Sequence, residues 1–248
     1  MKALIFAAGL GTRLRPLTDK MPKALVPVAG APMLERVICK LREAGLGPFV
    51  VNVHHFAEQI EDFLSENGNF GAQLALSHET AEPLETGGGI KHAAPLLASQ
   101  EGRFLVHNVD ILSDLDLHWF LEQDEPENLA TLLVTETPAY RYLLFDEQMR
   151  LVGWTNVLTG EIKSPYLPDF DPSLYRHYSF CGIHIVSDDV FEKMAAWPDK
   201  FSIIDFYLSE CAAGKIRGVV AKDLRLIDIG SPAKLEEAGR AVEAGLLR

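Results

Sequence analysis

Two glycines and a group of basic residues near the N-terminus have the types and spacing of a phosphate-binding loop. Gly9 and Gly11 follow an apolar run at residues 3–6 that predicts a buried strand. Glycine adopts positive φ readily and lets backbone N–H groups approach a ligand. A turn of this kind forms a concave nest of amides that suits phosphate oxygens. Four cations come directly after it, namely Arg13, Arg15, Lys20 and Lys23. In a chain of net charge −12, this local cluster predicts an anionic ligand.

Two aspartates at predicted strand ends are candidates for binding a metal ion. Asp110 follows the strand predicted at residues 104–106, and Asp228 ends a strand that precedes a glycine turn and a helix beginning at Pro232. Open parallel sheets bind ligands at the carboxyl ends of their strands, and Mg²⁺ takes one or two carboxylates together with substrate phosphates. An ordinary turn aspartate fits each position equally well. Only the fold can bring these two distant residues together.

Three consecutive glycines occur in residues 79–91. We predict a glycine turn and then a helix within residues 83–97, so that the unobstructed amides of residues 87–89 could accept a flat base or a ribose edge. Triple glycine is also typical of flexible connections. Pro83 and Thr86 favour a defined structure instead, because a helical pattern starts immediately after the glycines.

The elements that must position these residues alternate between strand and helix in the first half of the chain. The pattern predicts strands at residues 3–6, 49–53, 73–77 and 104–106, with helices over 33–45, 56–68 and 83–97. Such alternation is typical of a parallel sheet with helices on both faces. The second half predicts antiparallel or mixed strands at 129–135, 142–145, 151–154 and 178–186, a long loop or lid at 155–177, helices near 188–196 and 203–213, strands near 216–221 and 225–229, and a terminal helix from 232.

Composition excludes several classes of protein. The chain has 248 residues, of which 48% are hydrophobic and 23% charged, as in ordinary globular proteins. The net charge of −12 argues against nucleic acid or an anionic membrane as a partner. Three widely separated cysteines indicate reduced thiols in a cytoplasmic protein. We also expect neither a transmembrane helix nor a signal peptide. The oligomeric state is not predicted.

The glycine loop matches neither of two common phosphate-binding motifs. No Gly-Lys-Ser/Thr ends it, and Leu14 stands where a dinucleotide fingerprint has its third glycine. Its sequence, Gly-x-Gly-Thr-Arg-Leu-x-Pro-Leu-Thr from Gly9, then Pro-Lys at 22–23 and Leu-x-Pro-Val-x-Gly-x-Pro at 25–32, resembles the signature of the sugar-1-phosphate nucleotidyltransferases. The resemblance implies a single α/β domain, a Rossmann-like three-layer sandwich with a mainly parallel mixed sheet. It also implies a nucleotide-binding half at about 1–115 and a sugar-binding half at about 116–248.

The same resemblance implies roles for individual residues. Arg13, Lys23 and Asp110 match catalytic positions, where the arginine stabilises the departing pyrophosphate and the lysine contacts the substrate phosphates. Asp110 and Asp228 match the two metal ligands. The implied nucleotide-binding residues are Ala8, Gly9, Gly11, Thr12, Arg13, Glu79, Thr86, Gly87 and Asn108. The implied sugar-phosphate-binding residues are Lys23, Glu161, Lys163 and Gly182, the middle pair by loose similarity. Val109 stands where a glycine is usual in the family.

The implied reaction joins a nucleoside triphosphate and a sugar-1-phosphate and releases pyrophosphate, with Mg²⁺ as the cofactor. Residues 83–89, Pro-Leu-Glu-Thr-Gly-Gly-Gly, are similar to a segment of the N-acetylmuramate-1-phosphate uridylyltransferases. This similarity favours UTP and N-acetylmuramic acid 1-phosphate, in peptidoglycan recycling. GTP with mannose- or heptose-1-phosphate is the alternative. A metal-dependent glycosyltransferase and an inactive nucleotide-binding subunit remain as interpretations from other classes.

Overall fold

A ten-stranded mixed sheet forms the centre of the computed structural model, which describes residues 1–80 and 82–247. The strands within the described residues are β1 (Lys2–Phe6), β2 (Pro27–Val28), β3 (Ala31–Pro32), β4 (Phe49–Val53), β5 (Leu74–His78), β6 (Arg103–Asn108), β7 (Ile111–Ser113), β8 (Ala130–Thr135), β9 (Arg141–Phe145), β10 (Leu151–Asn156), β11 (Glu161–Lys163), β12 (Arg176–Ser187), β13 (Ile216–Val220) and β14 (Leu226–Asp228).

Seven α-helices are present in the same described residues. They are α1 (Met33–Glu43), α2 (Ala57–Glu66), α3 (Glu85–Leu97), α4 (Leu117–Glu122), α5 (Asp189–Met194), α6 (Ile203–Glu210) and α7 (Pro232–Glu243). Short 3₁₀ helices occur at Thr12–Leu14, Leu17–Asp19, Lys23–Leu25, Gly68–Gly71, Pro172–Leu174 and Cys211–Ala213. None of these helices is long and apolar enough to cross a membrane.

The first half of the chain builds the parallel part of the sheet. Strand β1 pairs in parallel with β4 on one side and β6 on the other, and β5 extends the sheet beyond β4. All five residues of β4 are buried, because helices cover both faces. Leu34 and Ile38 of α1 pack in one apolar cluster, whereas Ile90 and Ala93 of α3 pack in a second. The predicted α/β, Rossmann-like three-layer architecture is confirmed.

The second half extends the sheet with mostly antiparallel strands. The long strand β12 pairs with β6, β8 and β9, and its register shifts between Phe180 and His184 at a bulge. Strands β9, β10 and β11 follow one another as an antiparallel meander. The prediction of a continuous loop over 155–177 is therefore wrong, since β11 forms within it and pairs with β10. The other predicted helices and strands of this half are present.

One short sheet that the pattern analysis missed has a direct consequence for the site. Strand β7 follows Asp110 immediately, and β14 pairs with it in antiparallel orientation so that Asp228 lies opposite Ile111. The Ile229 amide also donates a hydrogen bond to the Asp110 carbonyl oxygen at 3.0 Å. Strand β14 lies within the strand predicted near 225–229, whereas β7 was missed because its three residues carry too little periodicity to be recognised in a sequence. This ladder brings the two aspartates together.

Candidate active site

A buried asparagine holds the start of the glycine loop. Asn52 lies in β4 and is 2% exposed, and its Oδ1 accepts hydrogen bonds from the amides of Ala7 (2.7 Å) and Ala8 (3.2 Å). Its Nδ2 donates to Glu79 Oε1 at 2.7 Å, and Glu79 Oε2 accepts from the Leu84 amide at 2.8 Å. The end of β1 is thus tied to the segment that precedes α3. The sequence analysis did not single out Asn52 as a site residue. The feature that could have identified it is its polar side chain within an otherwise apolar strand.

The two loop glycines differ in why they are needed. Gly11 has φ of +63°, and a Cβ there would lie 2.8 Å from the methyl group of Thr18. Its carbonyl oxygen accepts from Thr18 Oγ1 at 2.7 Å, which closes the loop ahead of Lys23. No atom lies within 4 Å of the Cβ position of Gly9. Gly11 therefore shapes the loop, whereas Gly9 leaves open space beside it.

Four charged side chains meet beyond the carboxyl ends of β1 and β6. Lys23 Nζ donates to Asp110 Oδ2 and lies 3.8 Å from Asp228 Oδ1, and an Arg13 guanidinium nitrogen lies 4.0 Å from Asp228 Oδ2. The Lys23 side chain is 10% exposed, whereas that of Arg13 is 71% exposed. The first is a buried cation, and the second faces solvent. The structure brings all four predicted residues into one group, which we call the charge cluster.

The electrostatics of the charge cluster are dominated by its two carboxylates. Burial, and then the neighbouring charge of Asp110, raise the pKa of Asp228. Lys23 and Arg13 act in the opposite direction. The Arg13 guanidinium packs against Gly230, where a Cβ would lie 2.6 Å from Nη2. A side chain at this position would displace the end of the Arg13 side chain from its present place beside Asp228.

A cavity of about 210 Å³, which we call the loop cavity, opens beside the charge cluster. It is lined by Phe6, Ala7, Ala8, Gly9, Lys23, Asn52, Glu79, Pro83, Glu85, Thr86, Asn108, Val109 and Asp110. Of the predicted nucleotide-binding residues, Ala8, Gly9, Glu79, Thr86 and Asn108 line it, whereas Gly11, Thr12, Arg13 and Gly87 do not. Both carboxylate oxygens of Glu79 already accept hydrogen bonds from the protein. Glu79 therefore shapes the wall of the cavity.

The predicted turn at residues 87–89 is wrong, because these glycines lie inside α3 and are buried. The amides of Gly87 and Gly88 both donate to the Phe201 carbonyl oxygen, at 2.9 and 3.2 Å. A Cβ at Gly88 would lie 2.0 Å from the Asp199 carbonyl oxygen, and one at Gly87 would lie 2.3 Å from the Phe201 ring. The glycines permit close packing of α3, and the two amides are not free to bind a base.

The remaining predicted residues lie towards the antiparallel strands. Gly182 occupies the β12 bulge with φ of +70°, and a Cβ there would lie 2.5 Å from Asn108 Nδ2. Lys163 Nζ pairs with Asp205 at 2.9 Å and Glu161 at 3.9 Å. A second cavity of about 310 Å³, the strand cavity, is lined by Ala139, Arg141, Leu143, Trp154, Lys163, Ser179, Phe180, Ser202, Ile204 and Asp205. Lys163 lines it, whereas Glu161 and Gly182 do not.

One hydrogen bond links the two cavities. Thr86, which lines the loop cavity, accepts at Oγ1 from the amide of Ile203 at 3.0 Å, and the residues on either side of Ile203 line the strand cavity. A larger cavity of about 560 Å³ lies elsewhere, beside α1 and β7. There burial lowers the pKa of Lys40 to about 8, and its Nζ donates to Ser113. It contains no residue of the charge cluster.

Comparisons with known proteins show the family of this chain. The family model described as nucleotidyl transferase matches residues 2–143. N-acetylmuramate alpha-1-phosphate uridylyltransferase of Neisseria meningitidis is 48% identical over 143 residues, which span 56% of this chain and 61% of that protein. The protein of the same name from Caulobacter vibrioides is 33% identical over 98% of this chain and 97% of its own length.

Solved structures show the same fold. The crystal structure of HddC from Yersinia pseudotuberculosis is 26% identical, has a TM-score of 0.76, and aligns over 97% of this chain and 99% of its own. HddC complexed with GMP-PN has a TM-score of 0.74 at 24% identity. The chain therefore belongs to the nucleotidyl transferase family, in the class of sugar-1-phosphate nucleotidyltransferases.

Proposed function

We propose that this enzyme joins UTP and N-acetylmuramate 1-phosphate to give UDP-N-acetylmuramate and pyrophosphate. The observation that carries the proposal is the charge cluster of two cations and two carboxylates at the mouth of the loop cavity. The names of the two relatives above supply the base and the sugar. The first of them aligns over only 61% of its own length, and the second aligns over 97%.

The proposed chemistry is an in-line displacement at the α-phosphorus of the nucleotide. An oxygen of the sugar phosphate attacks, the bond to the β-phosphate breaks, and pyrophosphate leaves with the electron pair. The attacking oxygen is already anionic near neutral pH, because the second pKa of a phosphate monoester is about 6. The site therefore needs no strong general base. Positioning and charge neutralisation carry the catalysis.

The two cations of the charge cluster are suited to binding different phosphate groups of the substrates. Lys23 is nearly buried and lines the loop cavity, and on that ground we assign it to the α-phosphate and the incoming sugar phosphate. Arg13 lies outside that lining and is mostly exposed. We assign Arg13 to the departing pyrophosphate, on which negative charge builds as the bond breaks. Asn52 accepts from the Ala7 and Ala8 amides and so fixes the backbone that leads into the glycine loop, and we assign the later part of that loop to the same phosphates.

Magnesium fits the carboxylates of the charge cluster. The negative charge of Asp110 contributes to the raised pKa of Asp228, so the two carboxylates repel each other, and a bound divalent cation would relieve that repulsion. No group of three or more His, Cys, Asp or Glu side chains suited to a metal occurs in residues 1–80 and 82–247. The protein would thus supply two ligands and the substrates the rest, as Mg²⁺ usually requires. Bound Mg²⁺ supplies neutralisation of phosphate charge.

Pyrophosphate release tests the proposal. Purified enzyme with Mg²⁺ is given UTP, GTP, ATP or CTP, each with N-acetylmuramate 1-phosphate, glucose 1-phosphate or mannose 1-phosphate. We expect UTP with N-acetylmuramate 1-phosphate to exceed every other pair in kcat/KM by at least about tenfold, and Asp110→Asn to remove the activity. The best rate with GTP and mannose 1-phosphate would instead support the guanylyltransferase alternative. Nucleotide binding without any turnover would indicate an inactive subunit.

A further inference from the structure

The strand cavity has a row of side chains on one face of three antiparallel strands. Leu143 of β9 lies opposite Trp154 of β10, which lies opposite Lys163 of β11. Arg141 is two residues before Leu143 on β9, so both side chains point to the same face of the sheet, and both line the cavity. The cavity therefore has an aromatic and aliphatic floor with an arginine at one end.

The charges in this cavity are not balanced. Its lining contains three charged side chains, which are Arg141, Lys163 and Asp205. Lys163 is matched by Asp205 at 2.9 Å and by Glu161 at 3.9 Å, and its ammonium lies 5.3 Å from the centre of the Trp154 ring. No carboxylate in residues 1–80 and 82–247 forms an ion pair with Arg141, and its side chain is exposed. Arg141 thus leaves a positive charge in a protein of net charge −12.

We propose that Arg141 binds a carboxylate carried by the sugar substrate and so selects an acidic sugar over a neutral one. The inference rests on the proposed function, and it takes the strand cavity as the sugar side of the site because Thr86 of the loop cavity accepts from the Ile203 amide, whose two neighbours line the strand cavity. N-acetylmuramate differs from N-acetylglucosamine by a lactyl ether, whose carboxylate is a second anion besides the phosphate. The guanidinium presents a planar fork that matches the two oxygens of a carboxylate.

The two cations of the cavity have different capacities for this task. The Lys163 ammonium already has two carboxylate neighbours, so a further anion there would meet Asp205 and Glu161 as like charges. Arg141 has no such neighbour within the described residues, and the apolar side chains of Leu143 and Trp154 beside it suit the C–H faces of a sugar and its lactyl methyl group. The assignment is therefore to Arg141, with Lys163 serving to fix the wall that faces α6.

The test compares two substrates that differ only at the lactyl carboxyl group, which is charged in one and a neutral amide in the other. N-acetylmuramate 1-phosphate and its neutral lactyl methylamide are each assayed with saturating UTP, using the wild type, Arg141→Gln and Arg141→Lys. We expect the wild type to prefer the acid by about tenfold or more, and Arg141→Gln to lower kcat/KM for the acid by about ten- to hundredfold, mainly through KM, the effect expected for a lost charge-assisted hydrogen bond. Activity on the methylamide stays within about threefold, and Arg141→Lys recovers part of the preference.

Arg176→Gln is the matched control, since Arg176 is an exposed arginine on the neighbouring strand β12 outside the cavity lining. It should retain the wild-type preference. Equal losses on both substrates in Arg141→Gln, or no loss on either, would overturn the assignment of Arg141. A wild-type enzyme that makes no UDP-sugar from N-acetylmuramate 1-phosphate would instead overturn the proposed function, and the two failures are thereby distinguished.

Discussion

The loop cavity and the strand cavity are built from different parts of the sheet and are held by different interactions. The loop cavity lies at the ends of parallel strands, and its wall is fixed by the buried hydrogen bonds of Asn52 and Glu79. The strand cavity lies on antiparallel strands, and its polar groups are the partly exposed pair of Lys163 with Asp205 and the exposed Arg141. Breaking the first network leaves buried polar atoms unsatisfied, whereas breaking the second exposes side chains to water.

Under the proposed function, this difference separates the phosphate-binding part of the site from the part that selects the sugar. Phosphate binding needs a rigid backbone, because amides and charges must already point at the developing charge. Selection among sugars needs side chains that can be exchanged at little cost in folding free energy. Surface ion pairs such as that of Lys163 contribute only about 0–1 kcal/mol. We therefore expect substitutions in the Asn52–Glu79 network behind the loop cavity to affect rate and stability together, and substitutions at the strand cavity to affect substrate choice alone.

The largest effect is expected at the charge cluster. Asp110→Asn should lower kcat/KM by at least about a thousandfold while leaving the fold intact, because the amide keeps the shape and loses the charge. Asp228→Asn should act in the same direction, and the double variant should lose far less than the product of the two, since both act through one cation. Pyrophosphate release over a range of Mg²⁺ concentrations measures this. Exposed Asp62 of α2 offers a control in Asp62→Asn.

Near-wild-type rates for Asp110→Asn at limiting Mg²⁺ would remove Asp110 from the metal site. Fully additive losses in the double variant would show that the two aspartates work independently, in spite of their contact in the charge cluster.

Arg13→Ala should lower kcat by about 10²- to 10³-fold, the usual loss for one charge-stabilising donor. The KM for the sugar phosphate should change little, because an interaction that strengthens in the transition state appears mainly in kcat. Steady-state kinetics with both substrates varied provides the measurement, and Arg13→Lys should recover part of the rate. A rise confined to the sugar-phosphate KM would place Arg13 on the wrong side of the site.

Asn52→Leu is the direct test of the network behind the loop cavity. The Ala7 and Ala8 amides would lose their acceptor and Glu79 a donor, at about 1–3 kcal/mol for each buried group left unsatisfied. We expect a fall of at least about 3 kcal/mol in the free energy of unfolding by urea, together with a higher KM for UTP. Lys163→Gln is the matched variant at the strand cavity and should change stability by less than about 0.5 kcal/mol. Equal losses of unfolding free energy in Asn52→Leu and Lys163→Gln would contradict the proposed difference between the two cavities.

Two buried histidines, one on a strand that lines the loop cavity and one on a strand that lines the strand cavity, predict a pH dependence of stability. Burial lowers the pKa of His107 in β6 to about 4 and that of His184 in β12 to about 3. As the pH falls below the unfolded value of about 6.5, the unfolded chain binds protons that the folded chain refuses, so stability is lost. Below that value, each histidine lowers the free energy of unfolding by about 1.4 kcal/mol for every unit by which the pH falls. Above about pH 6.5, neither histidine makes the free energy of unfolding depend on pH.

Urea unfolding at pH 7 and pH 5.5 measures this effect. The two histidines together should account for a loss of about 2–3 kcal/mol. His107→Leu should reduce the slope and cost little at pH 7, because His107 Nε2 is buried without a hydrogen-bond partner among the described residues. An unchanged slope in that variant would show that His107 is protonated in the folded protein.

The sequence was most informative where a local pattern decides the structure. Strands β1, β4 and β6 and helix α1 follow from apolar runs and helical spacing, and the loop that carries Arg13 and Lys23 follows from its signature. What failed depends on long-range packing. Gly87 was predicted to shape the base slot, but its missing side chain makes room for the Phe201 ring. A valine there would therefore disturb the packing of α3 as well as nucleotide binding.

The meeting of Asp110 and Asp228 has no local signal in the sequence, since it depends on the three-residue strands β7 and β14, and only the family resemblance predicted it. Asn52 and Arg141 lie in or beside correctly predicted strands, yet the sequence does not show what an isolated polar residue will face. Their surroundings come from other segments, residues 79 and 84 for Asn52 and the β10–β11 hairpin for Arg141.

A competition experiment tests the central claim most directly. Equimolar UTP and GTP are mixed with equimolar N-acetylmuramate 1-phosphate and mannose 1-phosphate, and the sugar nucleotides formed at low conversion are identified by mass spectrometry. Product ratios then report the ratios of kcat/KM for the competing substrates. We predict that UDP-N-acetylmuramate exceeds every other product by at least about tenfold. GDP-mannose as the main product would contradict the uridylyl assignment and the acidic sugar together.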